Sequence, residues 1–378
     1  MNIETARFRL RPSVSFIPPK EDGRCHFFIS DTRKSVHFII QNQIYIQIIS
    51  ALSGNLTTSE LLQKYSLSTP ERLGIFKLFE TLINESIIED ADAIATRLHH
   101  PYRRVLNFLG SLLPYHEVDD AFERLSNSHA VIVGAGGVGS WVALNIAQLG
   151  VKNLTLIDND IVSAHNLNRS FFKNEDIGKR KAIALADSIR SRNPAYYNTA
   201  YFLRRIEKPD HLSDIIENKP PQSTVVISCA DEPSAYEVAA AVHDAAYSRS
   251  IPYIVAGGYN MHLSLIGPTV IPNTSPCLHC IRHGMDANNP DDLTRAVRLN
   301  KIHRNIGNIA PLASISASFV AHEFLKIVIR NPKTPPTMTG GRGEFNFHTK
   351  QLIREEYSQW TDCIKCTSTR QIFIQGQR

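Results

Sequence analysis

Apolar positions along the chain change their period twice, and the changes divide it. From Arg7 to Ile40 the runs RFRLRPSVSFI, CHFFIS and SVHFII are short, β-rich and separated by Pro, Gly and Asp, which predicts a small antiparallel sheet of three strands. Helical spacing then takes over. Ile44, Ile48, Ile49 and Leu52 mark a helix from Gln43 that Gly54 and Asn55 stop, and Thr57 or Thr58 caps a second helix through Tyr65. Thr69, Pro70 and Glu71 open a third, with Leu73, Phe76, Phe79 and Ile83 along its apolar side. Strands followed by three helices predict a winged-helix-like module over residues 1–95. Residues 96–127, rich in His, Arg and aromatic side chains, read as a connector. From 128 to 378 strands alternate with helices: AVIV, a Gly-rich turn, a helix through Leu149, LTLI, a helix from about Lys179 to Arg192, then VVIS and YIVAG. That order predicts an α/β, doubly wound, mostly parallel sheet.

Composition agrees with two domains: 378 residues, 43% hydrophobic and 20% charged, belong to an ordinary globular protein and exclude disordered, collagenous and coiled-coil chains. A net charge of +5 gives no argument for a nucleic-acid partner and mildly favours an anionic ligand such as a nucleotide. Glu4, Arg7, Arg9 and Arg11 stand where a secretory signal needs an apolar run, so the expected location is cytoplasmic. The longest run without Asp, Glu, Lys or Arg, Ser250–Ile281, is broken by Pro252, Gly257, Gly258, Pro268 and Pro272, and no membrane segment is expected.

The strongest chemical signal follows AVIV. Gly134, Gly136, Gly137 and Gly139 form a G-x-G-x-x-G match in strand-turn-helix context, where the backbone can approach a phosphate and the helix N-terminus offers free N–H groups. Asp158 ends the next strand, where a carboxylate can accept from ribose hydroxyls. A nicotinamide or flavin enzyme would share this fingerprint. Downstream, Arg169, Lys179, Arg180 and Lys181 supply cations that a dehydrogenase does not need and that ATP-dependent adenylation does, because β and γ phosphates must be stabilised as they leave. Each also reads as a solvated cation at a helix start, Lys179 and Arg180 most readily.

GAGGVG, LIDND, NLNR, GKRK, SCADEP, CLHC and CIKC, in that order, resemble the ThiF, MoeB and HesA group of adenylating enzymes, relatives of the ubiquitin-activating enzymes. The resemblance implies a Rossmann-like ThiF fold, ATP and Mg2+. It implies that Asp158 holds the ribose and that Arg169 and Lys181 hold the triphosphate. Asp231 would bind magnesium beside the α phosphate, and Asp160 and Asn166 would line the pocket. Asp231 alternatively reads as a helix N-cap before Ser234. The resemblance further implies a homodimer in which YRRVLNF supplies an arginine finger, Arg104 or else Arg103. A surface arginine pair is the plain alternative.

Cys277, Cys280, Cys363 and Cys366 make two C-x-x-C half-sites whose four thiolates can close a structural tetrahedral Zn2+ site. His279 and His283 beside them read as surface residues. Ubiquitin-type activators pass the acyl group to a cysteine after the first half-site, yet Ile281–Asp362 has none, so no thioester relay runs there. Cys229 reads as a small core residue and Cys25 has no assigned role. Arg295, Arg298, Lys301, His303 and Arg304 form a basic segment that would receive an acidic peptide or else be a solvated helix.

The N-terminal module resembles the PqqD-type peptide-recognition domain, in which a leader peptide adds to the sheet edge beside the third helix. Together the two resemblances imply a peptide-modifying branch of the adenylating group. Its implied reaction is activation of glutamate side chains in a ribosomally made precursor peptide, with direct capture by a backbone amide to close rings in antibiotic biosynthesis. Activation of a peptide C-terminal carboxylate, activation of a ubiquitin-like sulfur carrier, and a non-catalytic nucleotide-binding scaffold stay open.

Overall fold

A computed structural model of the chain describes residues 2–19, 23–288 and 307–366. It divides into two packed units, Met1–Glu123 and Arg124–Arg378.

In the first unit the run predicted as one strand is two. β1 (Phe8–Leu10) ends where Arg11 turns inward, donating to the Ser86 carbonyl, Ser13 Oγ and Asp31, and β2 (Val14–Ile17) starts beyond it. β2 joins β3 (Arg24–Ile29) and β4 (Lys34–Ile39) in the expected antiparallel three-stranded sheet. β1 instead pairs antiparallel with β5 (Ile88–Asp90). Between them run α1 (Gln43–Ser50), α2 (Thr58–Lys64) and α3 (Thr69–Asn84). Reciprocal capping boxes start the second and third, Thr57 with Glu60 and Ser68 with Glu71.

The buried face of α3 is Ile75, Phe79, Leu82 and Ile83, whereas Leu73, expected on that face, is 56% exposed. The helix is turned because Tyr45 of α1 lies over Gly74 and donates to the Glu71 carbonyl, which puts the next residue, Ile75, into the core. Phe8 meets Phe79 edge-on at 5.4 Å, and Tyr115 joins the same core. α4 (Ala91–Thr96) closes the module, and the predicted connector is helical, α5 (Arg103–Leu109) and α6 (Val118–Asn127), with buried Arg97 forked onto Asp119 at 2.9 and 2.7 Å.

The second unit holds the predicted doubly wound sheet: β6 (His129–Val133), β7 (Asn153–Ile157), β8 (Asn198–Phe202), β9 (Thr224–Ser228), β10 (Tyr253–Val255) and β13 (Thr269–Val270). Their order is β13-β10-β9-β6-β7-β8, parallel except for the antiparallel edge strand β13. The chain leaves β6 toward β7 on one side and returns to β9 on the other, so β6 and β9 flank the switch point where open α/β sheets bind ligands. Helices α7 (Gly137–Gln148), α8 (Lys181–Arg190), α9 (Asp210–Ile216) and α10 (Ala235–Tyr247) connect the strands.

A second sheet was not foreseen. β11 (Gly258–Asn260), β12 (Leu263–Ile266), β14 (Gly341–Asn346) and β15 (Gln351–Glu356) are antiparallel neighbours in that order. α11 (Leu278–Asn288) starts just after Cys277 and carries Cys280. α12 (Ala310–Ile329) is long and apolar enough to cross a membrane by length and composition, but 72% of its apolar window is buried, and it packs along α7 and β12. That is how a core helix reads.

Candidate nucleotide and metal sites

After β6 the chain turns at Gly134 with φ +94°, and a Cβ there would stand 2.7 Å from the Ala230 nitrogen beyond β9. A Cβ on Gly139 would stand 1.8 Å from the Gly134 carbonyl oxygen. These two glycines let turn, helix and neighbouring strand end close together. Gly136 is different: nothing lies within 4 Å of its Cβ position, and no side chain caps α7. The first N–H groups of the helix are therefore available to an anion. Arg169 Cγ and Asn308 Nδ2 each come within 3.6 Å of the Cβ position of Gly137.

Asp158 follows β7. Its Oδ2 accepts from the Ala135 N–H and its Oδ1 from the Asp160 N–H, both at 2.7 Å, so the carboxylate clamps the Gly-rich turn to its own loop. Burial pushes its carboxyl above the ordinary value, against the pull of Lys181 and the two N–H bonds. Asp160 Oδ2 pairs with Lys181 Nζ at 2.9 Å, and Lys181 is only 9% exposed. Arg205, which no motif singles out, reaches Asp160 at 3.8 Å and Glu232 at 3.2 Å. The loops after β7, β8 and β9 are thus joined by charge.

Arg169 is placed by its main chain. Trp141 Nε1 donates to the Arg169 carbonyl at 3.0 Å, and the Phe171 N–H donates to Ser140 Oγ at 3.0 Å, tying NLNR to α7. Asn166 is buried, and its Oδ1 accepts from the N–H and hydroxyl of Ser163, which closes a short turn. Lys179 pairs with Asp176 at 3.0 Å, and Arg180 donates to the Asn159 carbonyl at 2.7 Å. Asp231 is exposed, lies just past β9 and has no side-chain partner among the described residues. The N-cap of α10 is Ser234, which accepts from the Glu237 N–H at 3.1 Å, so Asp231 is free of that structural duty.

The four cysteines meet. Cys277 and Cys280 sulfurs are 3.7 Å apart, Cys277 and Cys363 3.6 Å, and Cys280 and Cys366 3.6 Å, all buried. These separations are too long for a disulfide. A tetrahedron of sulfurs at the usual zinc–sulfur distance has edges of about 3.8 Å, so the set fits Zn2+ without rearrangement. The Tyr247 hydroxyl donates to Cys366 Sγ at 3.9 Å, the kind of outer contact that orients a ligand. His283 is exposed and stacks on Trp360 at 4.3 Å, whereas His279, expected at the surface, is half-buried with its Nε2 enclosed. It sits in the first turn of α11, its ring 4.9 Å from that of His243.

A family model described as the ThiF family matches residues 112–361. The chain belongs to the ThiF family. It is 29% identical over 185 residues to ubiquitin-like modifier-activating enzyme 5 of Dictyostelium discoideum, covering 46% of this chain and 46% of that protein. It is 29% identical over 165 residues to the sulfur carrier protein ThiS adenylyltransferase of Bacillus subtilis, covering 42% and 45%. The chain thus matches about half the length of these relatives. Among solved structures, E. coli MccB with ATP superposes with a TM-score of 0.72 at 18% identity, covering 95% of this chain and 99% of that one. PaaA superposes with a TM-score of 0.65 at 20% identity, covering 93% and 100%. MccB, titled a microcin C7 biosynthetic enzyme, has also been solved with N-formylated MccA. At these identities the likeness is one of fold.

Three further groups of expected residues in this ThiF-family chain complete the account. Arg103 and Arg104 are exposed at the start of α5 in the first unit, Arg103 donating to the Leu98 carbonyl at 3.3 Å. Arg295, Arg298, Lys301, His303 and Arg304 lie outside the described residues. Burial pushes the Cys229 thiol far above its ordinary value, which disarms it as a nucleophile. Two residues were missed, Arg205 and Asn308; the Oδ1 and Nδ2 of Asn308 are both buried without a partner among the described residues, beside Gly137. The sequence signal was weak, a lone Asn ahead of the apolar run of α12.

Proposed function

We propose that this ThiF-family chain uses ATP to adenylate a carboxylate of a ribosomally made precursor peptide. The observation that carries the reading is the placement of Asp158, Lys181, Arg169 and the uncapped α7 terminus around one Gly-rich turn at the switch point of the sheet. Each oxygen of Asp158 retains a lone pair for a ribose hydroxyl. Arg169 and Lys181 offset triphosphate charge, and the Asn308 amide supplies a further donor toward the phosphates. The free carboxylate of Asp231 suits Mg2+, which when bound neutralises phosphate oxygens. A peptide carboxylate oxygen attacks the α phosphorus while the bond to pyrophosphate breaks. The acyl carbon then carries AMP, a good leaving group, and no cysteine relay is needed.

Fold likeness to MccB, solved with ATP and with MccA, supports a peptide as acceptor. The first unit supplies an edge for it: among the described residues β4 has a strand partner on one side only, and Ile39 at its end is 70% exposed. On this reading a leader segment pairs there, a homodimer brings Arg104 to the partner's phosphates, and glutamate side chains are activated and captured by backbone amides. The ThiS adenylyltransferase relative favours a second reading, activation of a small carrier protein.

The test is AMP and pyrophosphate release with short peptides encoded next to the gene, against a Gly-Gly-ended carrier. Peptide-stimulated AMP formation, lost by about 100-fold or more in Asp231→Asn with an unchanged melting temperature, is the expected result. Stimulation by the carrier alone, or full activity in Asp231→Asn, overturns it.

A further inference from the structure

A second cluster of ligating groups lies in the same unit and is used by neither the Gly-rich edge nor the four thiols. His243, on α10, is fully buried. Its Nδ1 is 2.9 Å from the Tyr253 hydroxyl, and its Nε2 is buried with no partner among the described residues. His279 lies between Cys277 and Cys280, and its Nε2 is buried and unpartnered as well. Asp244 is the next residue after His243. One ligand atom from each of the three lies within 4.8 Å of the other two.

An enclosed ring nitrogen without a partner loses its hydration and gains no bond in return. Two such rings and a carboxylate, with ligand atoms within 4.8 Å of one another, can share one occupant. The occupant must accept electron pairs from two imidazoles and a carboxylate at once, which a cation does. Asp244 already faces one: Lys365 Nζ sits 2.6 Å from its Oδ1, on a side chain exposed enough to swing away. His243 is held as metal-binding histidines are, with one nitrogen on a fixed hydroxyl and the other left for a ligand bond.

We propose that His243, Asp244 and His279 bind a second divalent transition-metal ion, of the Zn2+ class, next to the four-cysteine set. Two nitrogens and one oxygen leave a fourth position for water, the composition of an exchangeable site rather than a closed structural one. A tetrahedral zinc with such ligands has edges of about 3.4 Å, so binding draws the groups together by rotating the half-buried His279 ring and the Asp244 carboxylate. Lys365 then withdraws from Oδ1. The inference stands whatever substrate the Gly-rich edge takes.

Metal content of the full chain, equilibrated with Zn2+ and freed of unbound ion by gel filtration, tests this. Wild type should hold two zinc ions per chain, while His279→Gln and His243→Ala should each hold one. Lys365→Ala, which removes the competing ammonium, should bind the second ion severalfold more tightly. Replacing Zn2+ with Co2+ separates the sites, because thiolates give an intense charge-transfer band and the second site adds only weak ligand-field bands that vanish in His279→Gln. His279→Gln, being half-buried, also covers the case in which His243→Ala does not fold. Wild type saturating at one ion, with no cobalt bands beyond the thiolate set, overturns the proposal in favour of a bridging water. Two ions retained in His279→Gln overturns it as well.

Discussion

The four-cysteine set and the Gly-rich edge share a unit but are built in opposite ways. The cysteines bring together four identical atoms, all buried, from two short segments, and their mutual distances already match one ion. The Gly-rich edge draws on the loops after β6, β7, β8 and β9 and the lead-in to α12. Its charges are occupied with one another: Asp160 with Lys181, and Arg205 with Asp160 and Glu232. A structural site is complete when its own groups close on a point. A site for a substrate must keep unfinished groups, and here those are the α7 terminus, the free carboxylate of Asp231 and the orphan amide of Asn308.

That contrast breaks first at the cysteines. If the ion ties Cys363 and Cys366 to α11, then Cys363→Ser or exhaustive chelation should cost several kcal/mol, because metal binding free energy is folding free energy. The check is thermal melting with and without restored Zn2+. A melting temperature indifferent to both would make the four thiols ordinary core residues.

The glycines divide next. Gly139→Ala forces a Cβ against the Gly134 carbonyl, so it should lose roughly 3 kcal/mol of stability along with ATP binding. Gly136→Ala meets no protein atom, so stability should change by less than about 1 kcal/mol while ATP affinity falls about tenfold. Denaturation and nucleotide titration of the same two variants separate the outcomes. A Gly136→Ala protein that binds ATP normally would show that the open space is not the phosphate seat.

Legibility in the sequence followed the same division. The half-sites Cys277–Cys280 and Cys363–Cys366 were readable because metal geometry restricts short spacings. The turn Gly134–Gly139 was readable because close approach admits only glycine. Arg205 and Asn308 were not, since each joins the site through folding between distant segments and leaves no local pattern. The parallel strands showed as apolar runs such as VVIS, buried throughout. β15 was invisible because every residue of QLIREE is exposed, so neither alternation nor hydrophobicity marks it. Leu73 misled for a related reason: helical spacing gives a face, but Tyr45 over Gly74 decides which way that face turns.

A pH-dependent effect lies at the other end of β6, where His129 begins the strand that the Gly-rich turn ends. Its ring is held by Thr155 Oγ1 at 2.8 Å, and burial, with Lys219 nearby, pushes its pKa from 6.5 down to about 4. Below pH 6.5 the unfolded chain takes a proton that the folded chain refuses. Stability therefore falls as pH falls, by up to roughly 1.4 kcal/mol per pH unit, and levels off near the folded value. Asp158 works in the opposite sense, since a carboxyl raised by burial favours the folded chain as it protonates. Buried His243, pushed down to about 4 as well, acts in the same sense as His129, so wild type should lose stability between pH 6.5 and 4, and His129→Gln should make that loss smaller without abolishing it in urea melts. An unchanged slope in His129→Gln would place the acid sensitivity at other groups of the chain.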